Sequence, residues 1–282
     1  MNAGIDPGWP RVTSRGNASI KRIVALHERR GREAEGRCWL ESRTCVHAAL
    51  KAGAQMAEIA VSEDAQPGAL ALAHEAAAGG VPVTVYTPEC FRKLSILRHP
   101  DGIGAIIPAP ASYALEDSVV PVVMLWQVQD PGNAGSIVRT AAAMGGGTVV
   151  SVTPGVDLLH PQCLRATAGT LLNLRHAVTD AETATAWLAR RAERVALLTA
   201  DGEITLAEAH ADPPEVLVIG GEAHGIAAAL RARHCSIAIP MRSGMESLNF
   251  NAAAAIALYA LWGRRITRVN RDADSALPRA HT

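Results

Sequence analysis

Asp130-Pro131-Gly132-Asn133-Ala134-Gly135-Ser136-Ile137-Val138-Arg139-Thr140 follows the apolar run Val122–Trp126 and leads into an Ala-rich segment that stops at Gly145-Gly146-Gly147. An apolar run, a polar turn, a small-residue helix and a glycine stop make one βαβ unit, with its polar residues at the strand's carboxyl end. Ligands of open α/β sheets bind just beyond those ends. Asn133 is expected at the helix N-cap, with Arg139 about two turns further in. In a helix of small and apolar residues an arginine is costly unless it meets an anion or a carboxylate. A surface cation or a structural ion pair is the plain alternative.

Two later strand-to-helix junctions carry polar clusters. Leu217-Val218-Ile219-Gly220-Gly221-Glu222-Ala223-His224-Gly225 has paired glycines, which permit close backbone approach to a ligand. Glu222 is either a carboxylate favoured by a helix dipole or the partner of Arg139. Ile239-Pro240-Met241 through Glu246-Ser247-Leu248-Asn249 runs into the last helix, where Ser247 or Asn249 suits an N-cap. The three junctions are expected to wall one active site. No strand-to-helix turn carries a GxGxxG fingerprint, a P-loop or a GxSxG elbow, which argues against nicotinamide, P-loop and serine-hydrolase chemistry.

The formal charge is zero, so no whole-protein field selects a polyanion. The first fifty residues, however, hold nine basic side chains against five acidic ones. Arg29, Arg30, Arg32, Arg37 and Arg43 cluster there, as a strip along an RNA backbone or as solvated surface. Five scattered cysteines without a CxxC pair suit reduced thiols in a cytoplasm rather than a disulfide frame. No HxH or HxxxH pair occurs among the histidines, so no metal is expected. The longest apolar run, Ala252 to Trp262, is too short for a bilayer, so no membrane association is expected.

Along the chain, Ile20, Ile23, Val24 and His27 recur at helical spacing, and Val46, Ala49 and Leu50 predict a second helix. Ile59/Val61, Val81/Val83/Val85 and Ile103/Ala105/Ile107 alternate as strands, with helices expected over 68–78 and Pro88–Leu94. Residues 1–112 are thus expected to form a small α/β domain. The composition breaks across 108–118, and the linker is placed at 113–118. Apolar strands at 122–128, 148–152, 195–199, 216–220 and 236–240 alternate with helical stretches, predicting a mostly parallel sheet covered on both faces over 119–268. The last helix is expected to run from Asn249 to about Arg264, with a flexible tail over 269–282.

Taken together, the motifs at Asn133–Ala141, Leu217–Gly225 and Ile239–Asn249 resemble, in order and interval, those of the SpoU (TrmH-type) RNA ribose 2′-O-methyltransferases of the SPOUT superfamily. Ser14-Arg15-Gly16-Asn17 with Ile20-Lys21-Arg22-Ile23 is similar to the opening of that family's substrate-binding domain. The resemblance implies a deep trefoil knot in the C-terminal domain, a homodimer, and S-adenosylmethionine bent near Gly220, Gly221, Ile239, Met241, Ser247 and Leu248. It implies that Arg139 contacts the target nucleotide and is the proposed general base, with Asn133 and Glu222 orienting it and Ser247 and Asn249 shaping the pocket. Arg15, Lys21 and Arg165 would join Arg139 in meeting RNA, an ordinary helix-surface role being the alternative for Arg165. Ribosomal RNA is the foremost substrate, with transfer RNA, or a non-catalytic RNA-binding role, as alternatives. Two departures stand out: Gly221-Glu222-Ala223 replaces the usual Asn-Glu-Gly, and Glu41-Ser42-Arg43 replaces a common Glu-Gly start.

Overall fold

The computed structural model describes residues 4–221, 225–245 and 247–263. Its elements begin with β1 (Arg11–Val12), α1 (Ala18–Ala25), α2 (Arg29–Glu35), β2 (Arg37–Glu41), α3 (Arg43–Lys51), β3 (Glu58–Ser62), α4 (Pro67–Ala78), β4 (Val83–Tyr86), α5 (Pro88–Leu94) and β5 (Ile103–Pro108). They continue with β6 (Val122–Trp126), α6 (Pro131–Ala143), β7 (Thr148–Thr153), α7 (Pro161–Ala166), β8 (Arg175–Asp180), α8 (Ala181–Ala189) and β9 (Val195–Leu198). The remainder are β10 (Ile204–Thr205), α9 (Leu206–Ala209), β11 (Val216–Gly220), α10 (Ala228–Arg231), β12 (Cys235–Ala238) and α11 (Phe250–Leu258). After α11 a five-residue π-helical turn, Tyr259–Gly263, follows. The expected helix end at Arg264 and the tail 269–282 lie outside the described residues.

Two compact units form, one of Met1–Ala111 with Asp157–Asn173, the other of Ser112–Val156 with Leu174–Thr282, each taken over its described residues. Asp157–Asn173 thus packs with the first unit although its chain neighbours on both sides belong to the second.

The first unit is built on a mixed sheet in the order β1-β4-β3-β5-β2, with β5 antiparallel to both its neighbours. Ile20 and Ile23 of α1 and Phe91 of α5 pack on Trp39, Tyr86 and Ile106 of the sheet. Local signals place the helices: Asn17 caps α1, Thr87 caps α5, and Pro67 and Pro88 occupy first-turn positions. Arg32 of the expected arginine strip is 3% exposed and unavailable to RNA. Its guanidinium donates to the carbonyls of Leu26 (2.8 Å) and His27 (2.7 Å) and pairs with Asp157. The strip expected from sequence is therefore corrected at this position, because these partners satisfy an arginine inside the unit.

In the second unit all seven strands run parallel, in the order β10-β12-β9-β11-β6-β7-β8. All five residues of β6 are buried, the pattern of a strand covered on both faces. Met124, Val150, Leu197 and Val218 share a core with Trp187 and Leu188 of α8. After β8 the chain crosses to β9, on the far side of β6 and β11. That crossing brings the carboxyl ends of strands far apart in sequence into register.

Candidate functional site

At the carboxyl edge of the second sheet, Gly220 of β11 lies beside Trp126, Ile219 beside Leu198, and Leu198 beside Ile237. Beyond these ends opens a cavity of about 460 Å³. Gly220 and Gly221 form one wall, Ile239 and Met241 a second, and Ser247 and Leu248 a third. Six residues named from two separate sequence motifs therefore line one space. The backbone N–H groups of Met241 and Leu248 donate to no group among the described residues, which leaves them available to a ligand.

The glycines are required for a reason other than the one read from sequence. A Cβ on Gly220 would lie 2.6 Å from the Gly225 carbonyl carbon, and one on Gly221 would lie 2.6 Å from the Gln127 oxygen. Gly221 N–H donates to Trp126 O at 2.9 Å, and Gly225 N–H returns to Gly221 O at 2.8 Å. The tight approach is backbone on backbone, and it shapes the cavity wall.

Sequence reading missed a fourth contributor. Leu198, Thr199, Ala200 and Asp201, which follow β9, also line the cavity, as does Arg231 of α10. The signal was present: Thr199-Ala200-Asp201-Gly202 is a polar turn with a glycine at a strand's carboxyl end. Arg231 donates to Asp201 at 2.7 Å and holds that carboxyl below the usual range. A Cβ on Gly202 would lie 2.4 Å from Ala238 N, so only glycine lets this turn reach β12.

The α6 junction differs from expectation in two respects. Asp130, not Asn133, is the N-cap, its carboxylate accepting from Asn133 N–H at 2.6 Å, with Pro131 at N1. Proline at N1 has its φ already set for a helix, so the cap falls one residue before it. Asn133 sits in the first turn instead, where its Oδ1 accepts from Asn251 Nδ2 of α11 at 2.7 Å. Asn249 caps α11, accepting from Asn251 N–H (3.1 Å) and Ala252 N–H (3.2 Å). Second, Arg139 is exposed, while Ile137, Val138 and Ala141 on the other side of α6 are buried. Among the described residues it makes no ion pair. Exposure removes the burial cost on which the expectation of an anion rested, and leaves the guanidinium within reach of water or of a substrate anion. Neither Asn133, Arg139 nor Asn249 lines the cavity. Glu222 and Ala223 lie outside the described residues, and with them the pairing expected between Glu222 and Arg139.

Of the residues expected at RNA, Arg15, Lys21 and Arg165 belong to the first unit and Arg139 to the second, and all four are exposed. Arg15 pairs with Glu89 at 2.9 Å. Among the described residues no three His, Cys, Asp or Glu side chains are grouped to hold a metal, and no helix is long and apolar enough to cross a membrane.

Residues 121–259 match the model of the SpoU rRNA Methylase family, and residues 17–105 match an MRM3-like substrate binding domain. The chain belongs to the SpoU rRNA Methylase family. This SpoU protein is 25% identical to the 23S rRNA (guanosine(2553)-2′-O)-methyltransferase of Bacillus subtilis, over 90% of this chain and 99% of that one. It is 32% identical to the 23S rRNA (adenosine(1067)-2′-O)-methyltransferase of Streptomyces laurentii, a match spanning 59% of this chain and 63% of that enzyme. The crystal structure of an AdoMet-bound rRNA methyltransferase from Sinorhizobium meliloti superposes with a TM-score of 0.75 at 26% identity, covering 91% of this chain and 97% of that one.

Proposed function

We propose that this SpoU protein is an S-adenosylmethionine-dependent methyltransferase that places a methyl group on a ribose 2′-hydroxyl of ribosomal RNA. The observation that carries the reading is the convergence of Gly220, Gly221, Ile239, Met241, Ser247 and Leu248 on one cavity at a parallel sheet's carboxyl edge. Its relatives named as 23S rRNA 2′-O-methyltransferases favour ribosomal over transfer RNA.

The residues present fit the donor. A cavity of about 460 Å³ is of small-molecule size. Ile219, Ile239 and Leu248 offer apolar surface to a flat base, and the N–H groups of Met241 and Leu248, which donate to no described residue, offer donors to its ring nitrogens. The sulfonium donor, when bound, supplies an electrophilic methyl group.

The chain's own task is to hold a ribose hydroxyl in line and to manage its proton, because a neutral hydroxyl is a poor nucleophile. Arg139, exposed on α6, presents a fork suited to the target nucleotide's phosphate. A guanidinium carries donors and no acceptor, so positioning and polarising are its first role, and a base function needs the bound nucleotide to take part. Asn133 and Glu222 are proposed to orient that guanidinium, and Ser247 and Asn249 to shape the nucleotide's side of the pocket. The reading includes a homodimer whose partner completes the RNA face, a trefoil-knotted second domain over 119–268, an RNA-binding domain over 1–112 and a cytoplasmic location.

Transfer of tritium from labelled S-adenosylmethionine to a 23S rRNA transcript tests this, with the product nucleoside identified by mass spectrometry. The expected product is a 2′-O-methylated nucleoside. Label confined to transfer RNA would overturn the substrate, and failure to bind the cofactor in calorimetry would overturn the activity.

A further inference from the structure

The first unit holds a cavity of its own, of about 620 Å³, that no part of the methyl-transfer reading uses. Ser62 at the end of β3, with Asp64 and Gln66 beyond it, forms one side, and Arg92 of α5 another. The loop Arg98-His99-Pro100-Asp101-Gly102, which enters β5, forms the third. We propose that this cavity binds one unstacked nucleotide of the RNA substrate. The proposal rests on the RNA reading above and adds to it a subsite on the first unit.

The loop is held at both ends by two residues with one position between them. Glu41, 1% exposed at the end of β2, accepts from Ser95 Oγ and from Ile96 N–H (2.9 Å), which fixes where the loop begins. Arg43 N–H donates to Asp101 Oδ2 at 3.1 Å, which fixes where it ends. Between them Ser42 adopts φ 103°, a conformation that side-chain-bearing residues rarely occupy. A buried carboxylate is tolerated only where several donors satisfy it, and strained backbone persists only where its surroundings impose it. Both features here serve the same loop. Gly102 closes it at φ 81°, where a Cβ would lie 2.8 Å from the Ala65 Cα.

The middle of the held loop is chemically unspent. Arg11, Arg15, Arg22, Arg29 and Arg32 of the same unit each meet a carboxylate, whereas Arg30, Arg37, Arg43, Arg92 and Arg165 make no ion pair among the described residues, and of these only Arg92 lines the cavity. Arg98 and His99 are exposed and meet none among the described residues, although Asp64 and Asp101 line the same cavity. Two guanidiniums, Arg92 and Arg98, suit a backbone phosphate. Two carboxylates with Ser62 and Gln66 disfavour a free, multiply charged phosphate and suit the donor and acceptor edge of a base. A cavity of this size accepts a whole nucleotide, and single-stranded RNA presents such nucleotides splayed from the stack.

The test is filter binding of a 23S rRNA transcript to the full-length protein and to its Arg98→Ala, His99→Ala and Lys51→Ala variants. Lys51 is an exposed cation at the end of α3 and does not line the cavity, so its variant controls for loss of charge. Arg98→Ala is expected to weaken binding about tenfold and to make the salt dependence shallower by about one. Melting temperature and S-adenosylmethionine affinity should not change. Unaltered RNA affinity in Arg98→Ala, or equal weakening by Lys51→Ala, overturns the proposal. A wild type that binds the transcript through Arg98 but transfers no methyl would sink the activity reading and leave this subsite standing. A wild type that binds no transcript sinks the subsite.

Discussion

Asn251 of α11 donates its side-chain N–H to Asn133 Oδ1 of α6 at 2.7 Å, tying the helix that follows the cavity's third wall to the helix that carries Arg139. The Oδ1 of Asn251 is itself buried, with no partner among the described residues. Asn251→Ala therefore loses one hydrogen bond but also removes an unsatisfied acceptor, and its stability cost should not exceed about 1 kcal/mol by urea denaturation. If the tie positions α6, methyl transfer should fall about tenfold while cofactor affinity holds. Equal losses in both would make the contact purely structural.

Arg139 is exposed and makes no ion pair among the described residues. Arg139→Ala should leave stability within about 0.5 kcal/mol of wild type, since the side chain is exposed. Transfer to RNA should be abolished, with cofactor affinity retained. Arg139→Lys should keep RNA affinity better than transfer, because it preserves charge without the planar fork. Wild-type turnover in Arg139→Ala would remove this residue from the mechanism.

Ser42 combines a strained φ of 103° with a capping bond from Cys45 N–H to its Oγ at 3.3 Å. Glycine relieves strain of about 1–3 kcal/mol, while losing a cap to glycine costs only a few tenths. The greater freedom of glycine in the unfolded chain takes back about 0.4–1 kcal/mol. Ser42→Gly is expected to raise the melting temperature by about 2 °C. Ser42→Ala, which keeps the strain and loses the cap, should lower it. A lower melting temperature for the glycine variant would show that the serine conformation is not strained.

His234 is 4% exposed, and among the described residues its ring nitrogens find only a weak approach to the Ala192 backbone rather than a well-formed hydrogen bond. Burial pushes its pKa below the usual 6.5. The folded protein then binds fewer protons here than the unfolded chain, so this contribution is complete above about pH 6.5 and is lost as pH falls towards the lowered value. His27 and His160, also lowered by burial, act in the same direction. His234→Leu should flatten, without abolishing, the loss of stability between pH 7.5 and 5.5 in urea titrations. An unchanged slope would mean that His234 reaches solvent in the folded state.

Much of the fold was legible because local periodicity reports it. Val122–Trp126 reads as a strand buried on both faces, and all five residues are buried. The helix over 68–78 appears as Pro67–Ala78, and Pro88–Leu94 appears as α5. Strand β2 was missed because Arg37-Cys38-Trp39-Leu40-Glu41 offers only three apolar residues between charged ends. Its Glu41 is buried through Ser95 and Ile96, more than fifty positions away. Strand β8 was missed because an edge strand such as Arg175–Asp180 leaves polar residues facing solvent.

The sequence alone determined the alternation of strands and helices and the polar composition of their junctions, because spacing and capping act over a few neighbouring residues. Tertiary structure alone decided which junctions share a cavity, since that follows from the strand order placing β9, β11 and β12 side by side. It also put Arg32 inside and left Arg139 in solvent. A charged side chain's fate depends on the partners it meets, and for Arg32 the deciding partner, Asp157, lies 125 positions away.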